Sequence, residues 1–221
     1  MTMIEQPFFC SAIRVFVIDD HAVVRRGLRQ ILAEAPEATL AGEAGSGAEA
    51  LTQLRRTRCD VVVLDISLPD CNGLELLRQI RSQHPRLAVL VLTMHAEEPY
   101  AVRALRAGAA GYLTKDGAAE ELLAAIRKVA AGGRYLTPAL AETLALRLGP
   151  DSRELPHERL SDREFQVLCL MATGKSLTEI ANALGVSVKT VSTHRARILE
   201  KMHLRNNAEL IQYAVKHDLV M

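Results

Sequence analysis

Between Ile13 and about Ala131, short apolar runs alternate with longer amphipathic stretches. The runs are IRVFVI (13–18), ATLAGE (38–43), DVVVLD (60–65), LAVLVL (87–92) and AAGYLT (109–114). Several are apolar on consecutive residues, the pattern of parallel strands covered on both faces. The stretches His21–Ala35, Gly47–Arg56, Gly73–Ser82, Glu97–Ala107 and Ala118–Ala130 carry helical periodicity, and Pro36, Pro69 and Pro85 fall between elements. Repeated βα units predict an α/β fold, a doubly wound five-stranded parallel sheet with right-handed crossovers. After Leu160 the grammar changes. No strand pattern follows, and helices are predicted at Asp162–Thr173, Thr178–Leu184, Ser187–Met202 and Asn207–His217, punctuated by Gly174, Gly185 and the 204–206 turn. The expected organisation is an α/β domain at 12–131, a linker at 132–157 with a short helix Pro138–Leu148, and an all-α domain at 158–221.

Composition fits two modest soluble domains in 221 residues. With aromatics at 4% and no Trp, the cores must be aliphatic. No apolar run approaches a membrane span, and the N-terminus lacks a basic region ahead of a long apolar stretch. Cys10, Cys59, Cys71 and Cys169 share no metal-ligand spacing and read as free thiols, so a reducing cytoplasm is the expected location. Net charge is +1, yet 1–131 carry 15 basic against 16 acidic residues and 157–221 carry nine against seven. Neither balance identifies a nucleic-acid binder, so the placement of the cations decides the matter.

Parallel α/β sheets bind ligands at the carboxyl ends of their strands. Asp19 and Asp20 end the first predicted strand and Asp65 the third, while Thr93 follows the fourth and Lys115 the fifth. Converging carboxylates repel one another and suit a hard oxygen-seeking cation such as Mg²⁺. A carboxylate nucleophile, a divalent ion, a hydroxyl and a lysine together supply what phosphoryl transfer to an aspartate needs. Each residue alone has a plainer reading: Asp20 as a helix cap, Tyr112 as a core residue with its hydroxyl toward solvent, His21 as structural or pocket rim.

In the second half, a short helix, a turn at Gly185–Val186 and a helix opening at Ser187 have helix-turn-helix dimensions. At about 100° per residue, Val188, Val191, Ile198, Leu199 and Met202 gather on one side, with Lys189, Thr193, Ala196 and Arg197 opposite and Thr190 and Ser192 flanking. A small, basic, hydroxyl-bearing face can enter a major groove, Lys189 in the first turn reading a base edge and Arg197 meeting phosphate.

The motifs DDH (19–21), DISLPDCNG (65–73), Thr93 and GYLTKD (111–116) resemble the receiver domain of two-component response regulators. The resemblance implies that Asp65 is the phosphoacceptor and that Asp19, Asp20, Asp65 and the backbone carbonyl of Ser67 hold Mg²⁺. It further implies that Thr93 and Tyr112 form a switch pair, Tyr112 turning inward, and that Lys115 contacts the acyl phosphate. Asp116 stands where many receivers have proline. LSDRE (160–164), VLCLMATGKS (167–176), EIANALGVSVKTVSTHRARILEKM (179–202) and NAEL (207–210) resemble the LuxR-type DNA-binding domain of the NarL/FixJ subfamily. Lys189, Thr190, Ser192, Thr193, His194 and Arg197 then correspond to its DNA-facing positions, and Glu164 and Glu179 to acids that fix helices. Asn207 departs from a usual arginine.

The combined resemblance implies a transcription regulator switched by phosphorylation, with a sensor histidine kinase, double-stranded promoter DNA, a second copy of the chain when phosphorylated, and RNA polymerase as partners. It would not be an enzyme beyond accepting a phosphoryl group and hydrolysing its own acyl phosphate. In the resting state the linker helix or receiver is expected to cover part of the recognition face around Lys189 and Arg197. The alternatives are a constitutive DNA-binding protein whose receiver only mediates dimerisation, and a Mg²⁺-dependent aspartate-nucleophile phosphatase.

Overall fold

A computed structural model describes residues 12–94, 97–117, 119–147, 155–217 and 219. The order is β1 (Ile13–Ile18), α1 (Ala22–Glu34), β2 (Ala38–Ala44), α2 (Gly47–Leu54), β3 (Val61–Leu64), α3 (Gly73–Gln83), β4 (Ala88–Thr93), α4 (Glu97–Arg106), β5 (Gly111–Thr114) and α5 (Ala119–Ala130). The strands form one parallel sheet in the order β2-β1-β3-β4-β5. Consecutive apolar residues are explained by the layers. Val15, Val17, Val61 and Val63 face α1 and α5 through Leu28, Leu32, Ile126 and Val129. Phe16, Ile18, Val62 and Leu64 belong to the core on the other face, shared with α3 and α4. β1 thus buries side chains on both faces, as a central parallel strand must.

After the sheet come α6 (Pro138–Arg147), a 3₁₀ turn (Pro156–Arg159), α7 (Asp162–Ala172), α8 (Leu177–Ala183), α9 (Val188–Lys201) and α10 (Asn207–Lys216). Local chemistry fixes their starts. Ser161 and Ser176 each form reciprocal capping boxes, with Glu164 and Glu179 respectively. Ser187 accepts from the Thr190 amide and Asn206 from the Glu209 amide. Gly185 sits at φ +61°, a left-handed turn conformation that joins α8 to α9 without a Cβ penalty. Glu164 is buried, and burial works against its charge, but Lys201 at 2.7 Å and the Ser161 amide outweigh this and hold its pKa below the ordinary carboxylate value.

The 3₁₀ turn Pro156–Arg159 straddles the expected boundary between linker and all-α domain, where the sequence predicts no helical element. The expected linker helix is present as Pro138–Arg147, whereas its last residue Leu148, the bracket Gly149–Pro150, Cys10 and Ala118 lie outside the described residues. Nor do the two halves pack as separate bodies. Phe165, Leu168, Ile180 and Val191 belong to the same buried cluster as Tyr100, Tyr112 and Leu64. Among the described residues no helix is long and apolar enough to cross a membrane.

Candidate functional site: an acidic pocket and a basic helix

The parallel register places the last residues of β1, β3, β4 and β5 along one edge of the sheet. Asp65 donates its amide to Ile18 O at 2.8 Å, and the Lys115 amide donates to Thr93 O at 2.9 Å, so backbone bonds fix the pocket residues. Lys115 Nζ lies 2.7 Å from Asp19 Oδ2 and 2.5 Å from Asp65 Oδ2, with all three side chains less than a tenth exposed. Burial alone would lower the lysine pKa, but its bonds to Asp19 and Asp65 outweigh that and raise it, so Lys115 carries full charge at neutral pH. Asp65 Oδ1 accepts the Ser67 amide at 2.9 Å, curling the following loop over the carboxylate. Behind that loop, a Cβ added at Gly73 would stand 2.3 Å from Ile66 Cα, so only glycine permits the close return of the chain.

Asp20 is not a helix cap. α1 opens on His21 with no side-chain cap bond, which removes the plain reading of that acid. Its Oδ1 is buried and makes no hydrogen bond. A buried carboxylate oxygen without a hydrogen-bond donor fits a position left for a cation. Ligand atoms of Asp19, Asp20, His21 and Asp65 all lie within 4.8 Å of one another, a set suited to a divalent ion. Thr93 is fully buried, and Tyr112, expected to turn inward on switching, already lies wholly inside the core.

On α9, Lys189, Thr190, Ser192, Thr193, Ala196 and Arg197 are exposed, while Val191 and Ile198 are buried. Val188, placed on the apolar stripe by its angle, is instead 44% exposed. Thr193 Oγ1 donates to Lys189 O and Thr190 pairs with Ser187, so these hydroxyls serve the helix. His194 is half-buried with Nδ1 unpartnered. Its pKa lies below the ordinary histidine value, chiefly from burial, with Arg163 and Arg197 adding to the effect against an opposing Glu164. Arg195 escaped the helical-face reading: its Nε donates to Asn207 Oδ1 at 2.6 Å, so the residue replacing the usual arginine has a contact of its own.

The recognition face is not covered. α6 packs against α4 through buried Leu140, and the receiver grips α7 and the 3₁₀ turn instead. Arg103 of α4, only 9% exposed, anchors this docking. Its Nη1 donates to Leu160 O at 2.9 Å and Asp162 Oδ1 at 3.1 Å, and its Nη2 to His157 O at 2.5 Å. The guanidinium also lies 4.1 Å over the Phe165 ring, which Tyr100 meets edge-on at 5.1 Å. Arg78 pairs with Asp162 and Arg106 with Glu158, while Asn72 at the end of the phosphoacceptor loop reaches Gln166. Arg103 and Arg106 both lie in the last turn of α4, and nothing in the local sequence sets them apart from other helix-end cations.

Residues 15–127 match the response regulator receiver domain, and residues 158–214 match the LuxR family of bacterial regulatory proteins. The chain belongs to the response regulator family. It is 40% identical over 209 residues to response regulator GacA of Pseudomonas viridiflava, covering 94% of this chain and 98% of that one. It also resembles the structure of RcsB from Salmonella enterica serovar Typhimurium bound to promoter P1flhDC in the presence of the phosphomimetic BeF₃⁻. That match has a TM-score of 0.65 and 26% identity, covering 92% of this chain and 98% of the other. A structure of two RcsB dimers bound to two parallel DNAs matches with a TM-score of 0.59 and 26% identity, covering 93% and 98%. The fold is therefore that of a receiver joined to a LuxR-type helix-turn-helix domain.

Proposed function

We propose that this chain is a DNA-binding transcription regulator of the cytoplasm, in which a sensor histidine kinase phosphorylates Asp65 and thereby controls promoter binding. The observation that carries this reading is the convergence of Asp19, Asp20, Asp65 and Lys115 in one chain with an exposed basic face on α9. An Asp65 carboxylate oxygen attacks the phosphorus of the donor phosphohistidine, the P–O bond forms, and the P–N bond breaks with its electron pair returning to the donor imidazole. Lys115 supplies a fixed positive charge beside Asp65, stabilising the charge that gathers on the phosphoryl oxygens. Asp19, Asp20, Asp65 and the Ser67 carbonyl would hold Mg²⁺, which when bound supplies further neutralisation of those oxygens. Thr93 and Tyr112 serve as the switch pair behind the acyl phosphate. Later attack by water on the acyl phosphate returns Asp65 and inorganic phosphate, the chain's only turnover.

DNA binding uses Lys189 for a base edge, Arg197 for phosphate, and Thr190, Ser192, Thr193 and His194 along the same helix. RNA polymerase is the downstream partner at the promoter. Control acts through pairing of chains, because Lys189 and Arg197 are exposed while the receiver is docked. Ile211 and Val215 of α10, four residues apart and 37% and 59% exposed, offer an apolar contact for a second copy. Phosphorylation adds about −1.5 to −2 charges next to the loop whose last residue, Asn72, bonds Gln166 of α7, and so loosens the grip on α7. Incubation with acetyl phosphate and Mg²⁺ should add one phosphoryl group to the wild type. Labelling that persists undiminished in Asp65→Asn would refute the assignment.

A further inference from the structure

We propose that His21 is a protein ligand in the acidic pocket and biases it toward divalent ions that accept nitrogen, such as Mn²⁺, over Mg²⁺. This rests on the carboxylate site proposed above and adds a donor to it. His21 Nδ1 lies 2.9 Å from Asp20 Oδ1 and 3.4 Å from Asp19 Oδ1. Two donors on adjacent corners of an octahedral ion at about 2.1 Å would stand about 3 Å apart, which these separations approximate. The approach to Asp20 Oδ1 is within ion-pair range of a protonated ring, yet that oxygen is buried and accepts no hydrogen bond. A cation held between the imidazole nitrogen and the carboxylate oxygen would satisfy both at these separations.

Among the described residues, His21 pairs through its side chain with these two carboxylates alone. It occupies the N-cap position of α1 but makes no side-chain cap bond, and its side chain is 63% exposed. An exposed ring tethered to the backbone beside two ligand carboxylates reaches an ion there with little loss of contacts elsewhere. The selectivity follows from ligand type. Mg²⁺ favours oxygen and keeps its waters, whereas first-row transition ions gain from an imidazole nitrogen.

The test uses the unphosphorylated full-length protein with Mn²⁺ and Mg²⁺ as the probes. Calorimetric titration gives the ratio of the two affinities, and pulsed electron paramagnetic resonance of bound Mn²⁺ reports a directly coordinated nitrogen. Wild type should show that nitrogen coupling, and H21A should lose it. The preference for Mn²⁺ over Mg²⁺ should fall by about tenfold in H21A with Mg²⁺ affinity little changed. H21N, which retains a helix-capping side chain, should behave like H21A and so separates ligation from any effect on α1. If wild type binds both ions without nitrogen coupling, and H21A keeps the wild-type preference, the His21 assignment is overturned while the carboxylate site stands. If neither ion binds wild type, the carboxylate site itself fails and His21 falls with it.

Discussion

The acidic pocket and the recognition helix solve opposite electrostatic problems. In the pocket, Asp19, Asp65 and Lys115 are withdrawn from water and close enough that each charge depends on the others. Such an arrangement is costly unless paired, but it places strong fields on a reacting group with no reorganisation. On α9, Lys189 and Arg197 stand exposed to water. Their charge is spent only when a polyanion arrives and counterions leave. Chemistry demands convergence before the ligand comes, whereas recognition demands availability. Removing a pocket residue should therefore act all-or-none, and removing an α9 residue should act in graded steps.

The largest expected effect is at Asp65. Asp65→Asn should abolish phosphorylation by acetyl phosphate, read as the intact mass, and no neighbouring carboxylate should substitute for it. Next comes the docking between the halves. Arg103→Ala leaves the carbonyls of His157 and Leu160 without their donor and removes one partner of Asp162, so docking should weaken by about 3 kcal/mol. Calorimetry should then show two unfolding transitions in Arg103→Ala where the wild type is expected to show one.

Graded effects follow on α9. Lys189→Ala should flatten preference at one base position by about 1–3 kcal/mol, checked by competition between cognate and substituted duplexes. Arg197→Ala should weaken all duplexes alike and reduce the salt slope by about 1. The smallest effect concerns His194. With its pKa depressed in the folded state, its contribution to stability is complete above the ordinary histidine value and declines as pH falls below that value toward the folded pKa. A proton NMR titration should place its midpoint below about 6.5, the ordinary value. A midpoint above 6.5 would mean that Glu164 outweighs burial.

Much of this was legible in the chain because its signals are local. Strand ends marked Asp19, Asp65, Thr93 and Lys115, and helical angles marked the polar face that carries Lys189 and Arg197. What escaped notice depends on partners far apart in sequence. Arg103 meets residues 54 to 59 positions away, and Asn72 meets Gln166 across 94. No periodicity marks which helix-end cation will be buried by another domain. The expectation of a covered recognition face failed for the same reason: helical angles reveal that α9 has a polar face, but not which surface of the domain the receiver grips. Val188 shows the limit within one helix, since its angle is apolar and yet, as the first residue of α9, it is 44% exposed.

The central claim is that phosphorylation controls DNA binding by pairing chains and not by uncovering α9. It is tested by measuring affinity for an in vitro selected duplex together with sedimentation of the same samples, for wild type and Arg103→Ala, with and without acetyl phosphate. Phosphorylated wild type should pair and bind more tightly, while unphosphorylated Arg103→Ala, undocked but single, should bind no better than unphosphorylated wild type. Unphosphorylated, unpaired Arg103→Ala binding as tightly as phosphorylated wild type would contradict this claim and make the docked receiver itself the block.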